Sequence, residues 1–271
     1  MRQSHPVRIK PKQSLGQNFL VDENIVRNIV RDLKLANDDV VVEIGPGLGA
    51  LTRELARHVS RLVIVEIDSR AVDELRKEFS EPDVTILHAD ILEVSLSELS
   101  RQHGKKLRVV GNIPYHLTSP ILFKVFEERE SVADLTFMIQ REVARRILAE
   151  PGSKENGILS VLTRFYGEPR MLFTVSRNCF YPKPDVTSAV IQVRLFDAPP
   201  YGVGAAGFAT LVKTTFGKRR KMLRNSLLYL PYEEGIVKAL LSDNGDLMDR
   251  RPEQLSIREF VTLAQAIEQL Q

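Results

Sequence analysis

Asn112-Ile113-Pro114-Tyr115 begins 63 residues after the last glycine of Glu43-Ile44-Gly45-Pro46-Gly47-Leu48-Gly49, and the two segments together suit one reaction. An amine conjugated to a ring is a poor nucleophile. A catalyst that alkylates it has to accept hydrogen bonds from the NH2 group and hold the nitrogen lone pair against an electrophile. Asn112 offers a side-chain oxygen for this, Ile113 offers a main-chain carbonyl, and Tyr115 offers a ring on which a planar base can stack. The chemistry implied is methyl transfer from S-adenosylmethionine to an exocyclic amine. By itself Asn-Ile-Pro-Tyr is also a plain turn, because Asn112 and Pro114 are turn formers. Its place after the fourth strand of the fold read below favours the catalytic reading.

The glycine segment has the spacing G-x-G-x-G behind an acid, rather than the G-x-G-x-x-G of dinucleotide binding. Gly45, Gly47 and Gly49 let backbone approach a ligand where a Cβ would collide. Two acids extend the site. Glu66, 21 residues after Gly45, ends the second strand, where a carboxylate accepts from two ribose hydroxyls; Asp68 is a rival for the same task. Asp90 follows the third strand and is placed to accept from the adenine amine of the cofactor. A nicotinamide enzyme would use the same glycines but leave Asn112 to Tyr115 without a role.

These residues need a scaffold, and hydrophobic periodicity supplies one. Asp22 to Leu35 reads as a capped helix with Ile25, Val26, Ile29, Val30 and Leu33 on one face. Val40 to Ile44 reads as a short apolar strand ending in the glycine turn, followed by Leu51, Leu55 and Val59 at helical spacing. Strands at 62–67, 84–87, 107–110 and 135–139 alternate with helices at 70–79 and 119–126, which implies a parallel α/β sheet, doubly wound. Residues 142–148 and 157–165 read as helical, and 171–175 with 188–196 as an antiparallel pair closing the sheet. A Pro- and Gly-rich linker at 197–207 precedes helices at 208–216, 219–229, 233–241 and 253–269. The expected organisation is a Rossmann-like methyltransferase domain over 1–197 and a small helical domain over 198–271.

With 271 residues and 43% hydrophobic content, the chain can bury a substantial core. No apolar stretch is long enough to span a membrane, and residues 1–14 lack the apolar core of a secretory signal. A cytoplasmic location and a monomer are expected. The single cysteine, Cys179, rules out an internal disulfide and a multi-thiolate metal site, and no metal is expected. The net charge is only +3, yet Arg2, Arg8, Lys10 and Lys12 fall in one acid-free stretch, and Lys213, Lys218, Arg219, Arg220, Lys221 and Arg224 in another. Those ten cations leave the remainder net acidic. The second cluster, with Phe216, Met222, Leu223 and Leu227 interleaved, fits a polyanion footprint.

Further motifs run the length of the chain: Gln13-Ser14-Leu15-Gly16-Gln17-Asn18-Phe19-Leu20, Phe180-Tyr181-Pro182-Lys183-Pro184-Asp185-Val186-Thr187-Ser188, Phe216-Gly217-Lys218-Arg219-Arg220-Lys221 and Arg251-Pro252-Glu253. With the glycine turn and Asn112 to Tyr115, they make the chain resemble the ribosomal RNA adenine N6,N6-dimethyltransferase family, of the type acting on the small subunit. The resemblance implies that Asn18 and Leu20 contact S-adenosylmethionine together with Gly45, Glu66, Asp90 and Asn112, with Gln17 close by. It also implies that Phe180 stacks on the target adenine opposite Tyr115; from sequence alone Phe180 is as readily a core anchor. The implied substrate is two adjacent adenosines in the hairpin near the 3′ end of small-subunit ribosomal RNA, within an immature particle. Ile113 stands where the family more often has Leu, and Lys183 interrupts a more usual proline run. Three alternatives share parts of the pattern: an erythromycin-resistance enzyme acting on large-subunit RNA, a DNA adenine methyltransferase, and a ribosome-assembly factor without catalysis.

Overall fold

The computed structural model describes residues 9–12, 15–79, 84–198, 201–243 and 245–271. Arg2, Arg8, Gln13 and Ser14 lie outside the described residues. The chain divides into two compact units, one of residues 1–144 and 170–195, the other of 145–169 and 196–271.

The first unit opens with a two-residue strand, β1 (Phe19–Leu20), and helix α1 (Glu23–Leu33). Asp22 caps α1 by accepting from the Asn24 and Ile25 amides, and Val26, Ile29, Val30 and Leu33 are buried on its apolar face. Strand β2 (Val40–Ile44) is buried throughout and leads through the glycine turn into α2 (Ala50–Leu55). Then follow β3 (Arg61–Glu66), α3 (Ser69–Glu78), β4 (Val84–His88), α4 (Leu96–His103), β5 (Leu107–Asn112), α5 (Thr118–Glu127), β6 (Val132–Gln140) and α6 (Arg141–Leu148). Helix α4 is absent from the sequence reading. It is short and buries only Leu96 and Leu99, so its periodicity is weak; its one clear signal is Ser95 capping the Glu98 amide.

Helix α7 (Ile158–Tyr166), β7 (Gly167–Val175), β8 (Phe180–Tyr181) and β9 (Ser188–Leu195) come next. The main sheet has the order β4-β3-β2-β5-β6-β9-β7. Strands β2, β3, β4, β5 and β6 pair in parallel, and β9 runs antiparallel to β6. The order reverses at β2, whose neighbours are β3 and β5, so the crevice of this doubly wound sheet opens at the carboxyl ends of β2 and β5.

Gly111 shows how tightly that crevice is built. A Cβ there would stand 2.6 Å from the Ile44 carbonyl oxygen and 3.0 Å from Ile113 Cδ1. Backbone cannot yield as a side chain can, so Gly111→Ala is expected to lower stability by about 1–3 kcal/mol in thermal or urea denaturation. Gly217→Ala, whose methyl would meet nothing within 4 Å, is the reference and should cost nothing.

The second unit is helical: α8 (Ala205–Gly217), α9 (Leu223–Leu227), α10 (Glu234–Asp243), α11 (Gly245–Met248) and α12 (Ile257–Leu270) join α7. A domain boundary placed at residue 197 takes no account of residues 145–169. Their attachment has a clear cause in Phe165 of α7, fully buried and stacked on Phe208 of α8 at 3.9 Å between ring centroids. The helix expected over 219–229 is confined to Leu223–Leu227, and Lys218 to Arg220 form a turn. Gly217 and four successive like charges oppose helix continuation there.

Candidate active site

The glycine turn and the Asn112–Tyr115 segment meet in one cavity of about 260 Å³. Its wall includes Gly45 to Leu48 after β2, Glu66 and Ile67 after β3, Ala89 to Ile91 after β4, and Asn112 to Leu117 after β5. Leu15 to Leu20 complete it as a strap. The strap touches the loops after β2 and β5. A Cβ on Gly47 would fall 2.8 Å from the Phe19 ring, and one on Gly16 would lie 3.5 Å from His116 and 3.6 Å from Pro114. Strap residue Asn18 presents its carbonyl to the Asn112 side chain, whose Nδ2 donates to it at 2.8 Å. That bond assigns the amide: Nδ2 is committed, so Oδ1 is the acceptor left for a ligand. Ile113 continues the β5–β6 pairing by donating its N–H to the Met138 carbonyl. Among the described residues nothing donates to the Ile113 carbonyl.

Tyr115 borders the same cavity, and its hydroxyl pairs with Ser188 Oγ at 3.1 Å. Burial raises the phenol pKa, so it stays neutral at physiological pH. Ser188, the last residue of the Phe180-to-Ser188 motif, thus fixes the ring of Tyr115, a link invisible at a spacing of 73 residues. Phe180 is not brought to the cavity. Strand β8 pairs antiparallel with β1, setting Leu20 opposite Phe180, and the Phe180 ring is buried in the core cluster with Leu20, Val175 and Val190. Of the two readings open for Phe180, the structure shows the core anchor; Tyr181 beside it is half exposed.

Glu66 is buried, and both its oxygens are engaged: Oε2 accepts from the Gly47 amide at 3.1 Å and Oε1 from the Asp68 amide at 2.9 Å. A carboxylate has about four acceptor positions, so Glu66 keeps acceptor capacity for a hydroxyl of a ligand. Burial raises the Glu66 pKa, against the lowering effect of those amides. Asp68 is differently occupied. Its side chain is fully buried, it receives Arg70 Nε and Nη2, and it accepts from Gln17 Nε2 at 3.0 Å. The hydrogen bonds from Arg70 hold its carboxyl far below the ordinary range. It is absent from the cavity wall, which leaves Glu66 as the acid at the end of β3 that faces the cavity. Asp90 accepts from the Leu92 amide through Oδ1, and among the described residues its Oδ2 has no hydrogen-bond partner.

Glu43 is a residue whose state the sequence reading missed. It lies 1% exposed behind the glycine turn, bonded by Thr52 Oγ1 at 2.7 Å. Burial pushes its carboxyl up to about 8. The folded protein therefore holds a proton on Glu43 that the unfolded chain releases near pH 4.5, and this contribution to stability falls as pH rises from about 4.5 to about 8. Glu43→Gln removes that dependence. Its melting temperature relative to the original protein is expected to rise between pH 6 and pH 9; a constant difference would show that Glu43 titrates normally.

The cavity wall thus carries Glu43, Glu66 and Asp90 and, among the described residues, no lysine or arginine. A pyrophosphate would find no cation here, and Glu66 already occupies the Gly47 amide. Glu43 is protonated and sequestered, but the acceptors of Glu66 and Asp90 suit a ligand bearing ammonium and sulfonium charges, a ribose and an adenine. A seven-stranded sheet with this order and such a cavity at its switch point defines a Rossmann-like, S-adenosylmethionine-dependent methyltransferase.

The comparisons with known proteins narrow the class. Residues 8–269 match the family described as ribosomal RNA adenine dimethylase. A protein of Salinibacter ruber called ribosomal RNA small subunit methyltransferase A is 43% identical over 269 residues, covering 99% of this chain and 88% of its own. A dimethyladenosine transferase from Plasmodium falciparum has the same fold, with a TM-score of 0.80 and 23% identity over 93% of this chain and 98% of its own. The 23S rRNA methyltransferase ErmE is 28% identical, with a TM-score of 0.67 over 92% of this chain and 100% of its own. The chain belongs to the ribosomal RNA adenine dimethylase family and is an S-adenosylmethionine-dependent adenine dimethyltransferase.

The basic cluster lies in the second unit. Arg219 is taken up internally, by the Glu253 carboxylate at 2.6 Å and the Lys154 carbonyl. Glu253, from the Arg-Pro-Glu motif, also accepts through its carbonyl from Gly152 N and Asn156 Nδ2. Arg224 pairs with Asp249 at 2.7 Å. Lys218 and Lys221 stand over the exposed ring of Tyr229, at 4.4 and 5.0 Å from its centroid. Arg220 is exposed with no acid partner among the described residues, and Lys213 is exposed on α8. Among the described residues, no helix is long and apolar enough to cross a membrane.

Proposed function

We propose that this chain dimethylates the N6 amines of two adjacent adenosines in the 3′-terminal hairpin of small-subunit ribosomal RNA, on an immature small particle in the cytoplasm, as a monomer. The observation that carries the reading is the Asn112 amide, which turns its NH2 to the Asn18 carbonyl and gives it one N–H, so that its oxygen is left to receive an amine. The small-subunit target is supported by relatives such as that of Salinibacter ruber.

Glu66 and Asp90 would hold ribose and adenine of S-adenosylmethionine, with Gln17, Asn18, Leu20, Gly45 and Gly47 closing around them. When bound, that cofactor supplies an electrophilic methyl group on a sulfonium. Asn112 Oδ1 and the Ile113 carbonyl hold the target amine by its hydrogens, which aims its lone pair. Pro114 keeps the chain extended between them and Tyr115, with ψ near 133°. As the nitrogen becomes cationic, the same two acceptors stabilise it. Tyr115, steadied by Ser188, stacks on the base, which has to be single-stranded or flipped to enter. The displaced proton passes to water, and His116, packed against Gly16, serves as a wall. After one methylation the amine retains one N–H, which either acceptor can hold.

Incubation with labelled cofactor and unmethylated small or large ribosomal particles tests the reading. Label on adjacent small-subunit adenosines is expected; label on large-subunit RNA alone would favour the ErmE-like alternative. For the basic cluster, Lys218, Arg220 and Lys221 are the variants of choice, because replacing Arg219 also breaks its internal pair with Glu253. Changing these three to alanine should weaken particle binding and flatten its logarithmic salt dependence by roughly 2, at about 0.7 per lost phosphate contact. Unchanged slope and affinity would exclude the cluster from the RNA contact.

A further inference from the structure

The strap over the cavity joins two ends of the site that the sheet keeps on separate loops. At one end, Glu66 Oε1 accepts from the Asp68 amide, so the backbone of Asp68 supports the ribose-facing carboxylate. The side chain of Asp68 turns the other way and accepts from Gln17 Nε2 at 3.0 Å. Gln17 in turn accepts the Lys12 amide at 2.7 Å, and Arg70, bound to Asp68, donates to the Lys10 carbonyl at 3.0 Å. Lys12 Nζ lies 3.6 Å from the same carboxylate. The next strap residue, Asn18, holds the Asn112 amide. A continuous path therefore runs from Glu66 through Asp68, Gln17 and Asn18 to the oxygen assigned to the target amine.

We propose that Asp68 and Gln17 are positioning residues for methyl transfer: they pin the strap so that the Asn18 carbonyl keeps Asn112 Oδ1 facing the substrate. The inference rests on the function proposed above and adds to it a role for two residues that need not touch the reacting atoms. Its physical basis is the freedom of a primary amide. Without the Asn18 carbonyl, the Asn112 side chain can turn its NH2 toward the amine, and a donor facing a donor repels instead of orienting. A buried carboxylate with four donors around it is a rigid anchor for such a strap. Regular secondary structure does not supply this, since Gln17 and Asn18 belong to no helix or strand.

Steady-state methylation of unmethylated small particles by Asp68→Ala, Asp68→Asn, Gln17→Ala and the Asp68→Ala/Gln17→Ala double variant, with calorimetric cofactor affinity for each, provides the test. Asp68→Ala should lower kcat roughly a hundredfold, the scale of a catalytic group misplaced by about 1 Å, and weaken cofactor binding by much less. Asp68→Asn, which keeps an acceptor for Gln17, should recover most of kcat. Gln17→Ala should lower kcat alike, and the double variant no further than the worse single, because both cut one path. Wild-type kcat in Asp68→Ala or Gln17→Ala, or losses that multiply in the double variant, would overturn the inference. Asp68 also caps α3, so if Asp68→Ala does not fold, Gln17→Ala decides the question by its kcat at saturating cofactor: a lowered kcat supports the inference, and a loss confined to cofactor affinity overturns it. An original protein that transfers no methyl group to small particles would remove the functional reading and this inference with it.

Discussion

Asn112→Ala is expected to reduce methylation of small ribosomal particles by roughly a thousandfold or more while leaving particle affinity unaltered. The effect is large because the variant loses two things together. It deletes the Oδ1 acceptor, and it deletes the Nδ2 donor that ties the end of β5 to the Asn18 carbonyl. Asn112→Asp separates them: it keeps oxygen acceptors but sets a carboxylate against that carbonyl, so activity between those of the alanine variant and the original is expected. Single-turnover rates at saturating cofactor, beside binding measured by filter retention, are the readout. A near-original rate in Asn112→Ala would remove the amine contacts from the mechanism.

The second large effect is expected from Glu66→Ala. Hydrogen bonds to a charged acceptor contribute about 1.5–3 kcal/mol each, so the loss of two ribose contacts should weaken S-adenosylmethionine binding by about a hundredfold or more. The structure adds a consequence for the protein without cofactor. Gly47 and Asp68 would each lose the buried partner of an amide, so the melting temperature should fall as well. Asp90→Ala leaves only the Leu92 amide without its partner and should weaken cofactor binding with little change in stability. Calorimetric titration of both variants checks the ranking; unchanged cofactor affinity in Glu66→Ala would overturn the ribose assignment.

Helix α1 is legible because aliphatic residues repeat on one face and Asp22 caps it, and β2 because a short, mainly apolar run leads into a glycine turn. Helix α4 is not, since two buried leucines make too faint a stripe. The helix expected over 219–229 is cut short at its start for another reason. Interleaved apolar residues suggested one amphipathic face, yet Met222 is 40% exposed and the cluster is a turn whose Arg219 is drawn off by Glu253, 34 residues away. Local pattern cannot register such a partner.

The sequence by itself determined which groups are on offer to a ligand: acceptors at Asn112 and Ile113, a glycine turn, and acids at the ends of β3 and β4. Their side-chain types and their positions after buried strands are local properties, and local properties survive in a linear text. The tertiary structure alone decided how the acceptors face. The Asn112 amide takes its direction from a carbonyl 94 residues earlier, Tyr115 is held by Ser188, Phe180 is turned into the core by pairing with β1, and Glu43 keeps its proton because the fold excludes water from it. Each of these depends on register and burial between segments far apart in the chain, where hydrogen bonds and desolvation act through space and leave no period in the sequence.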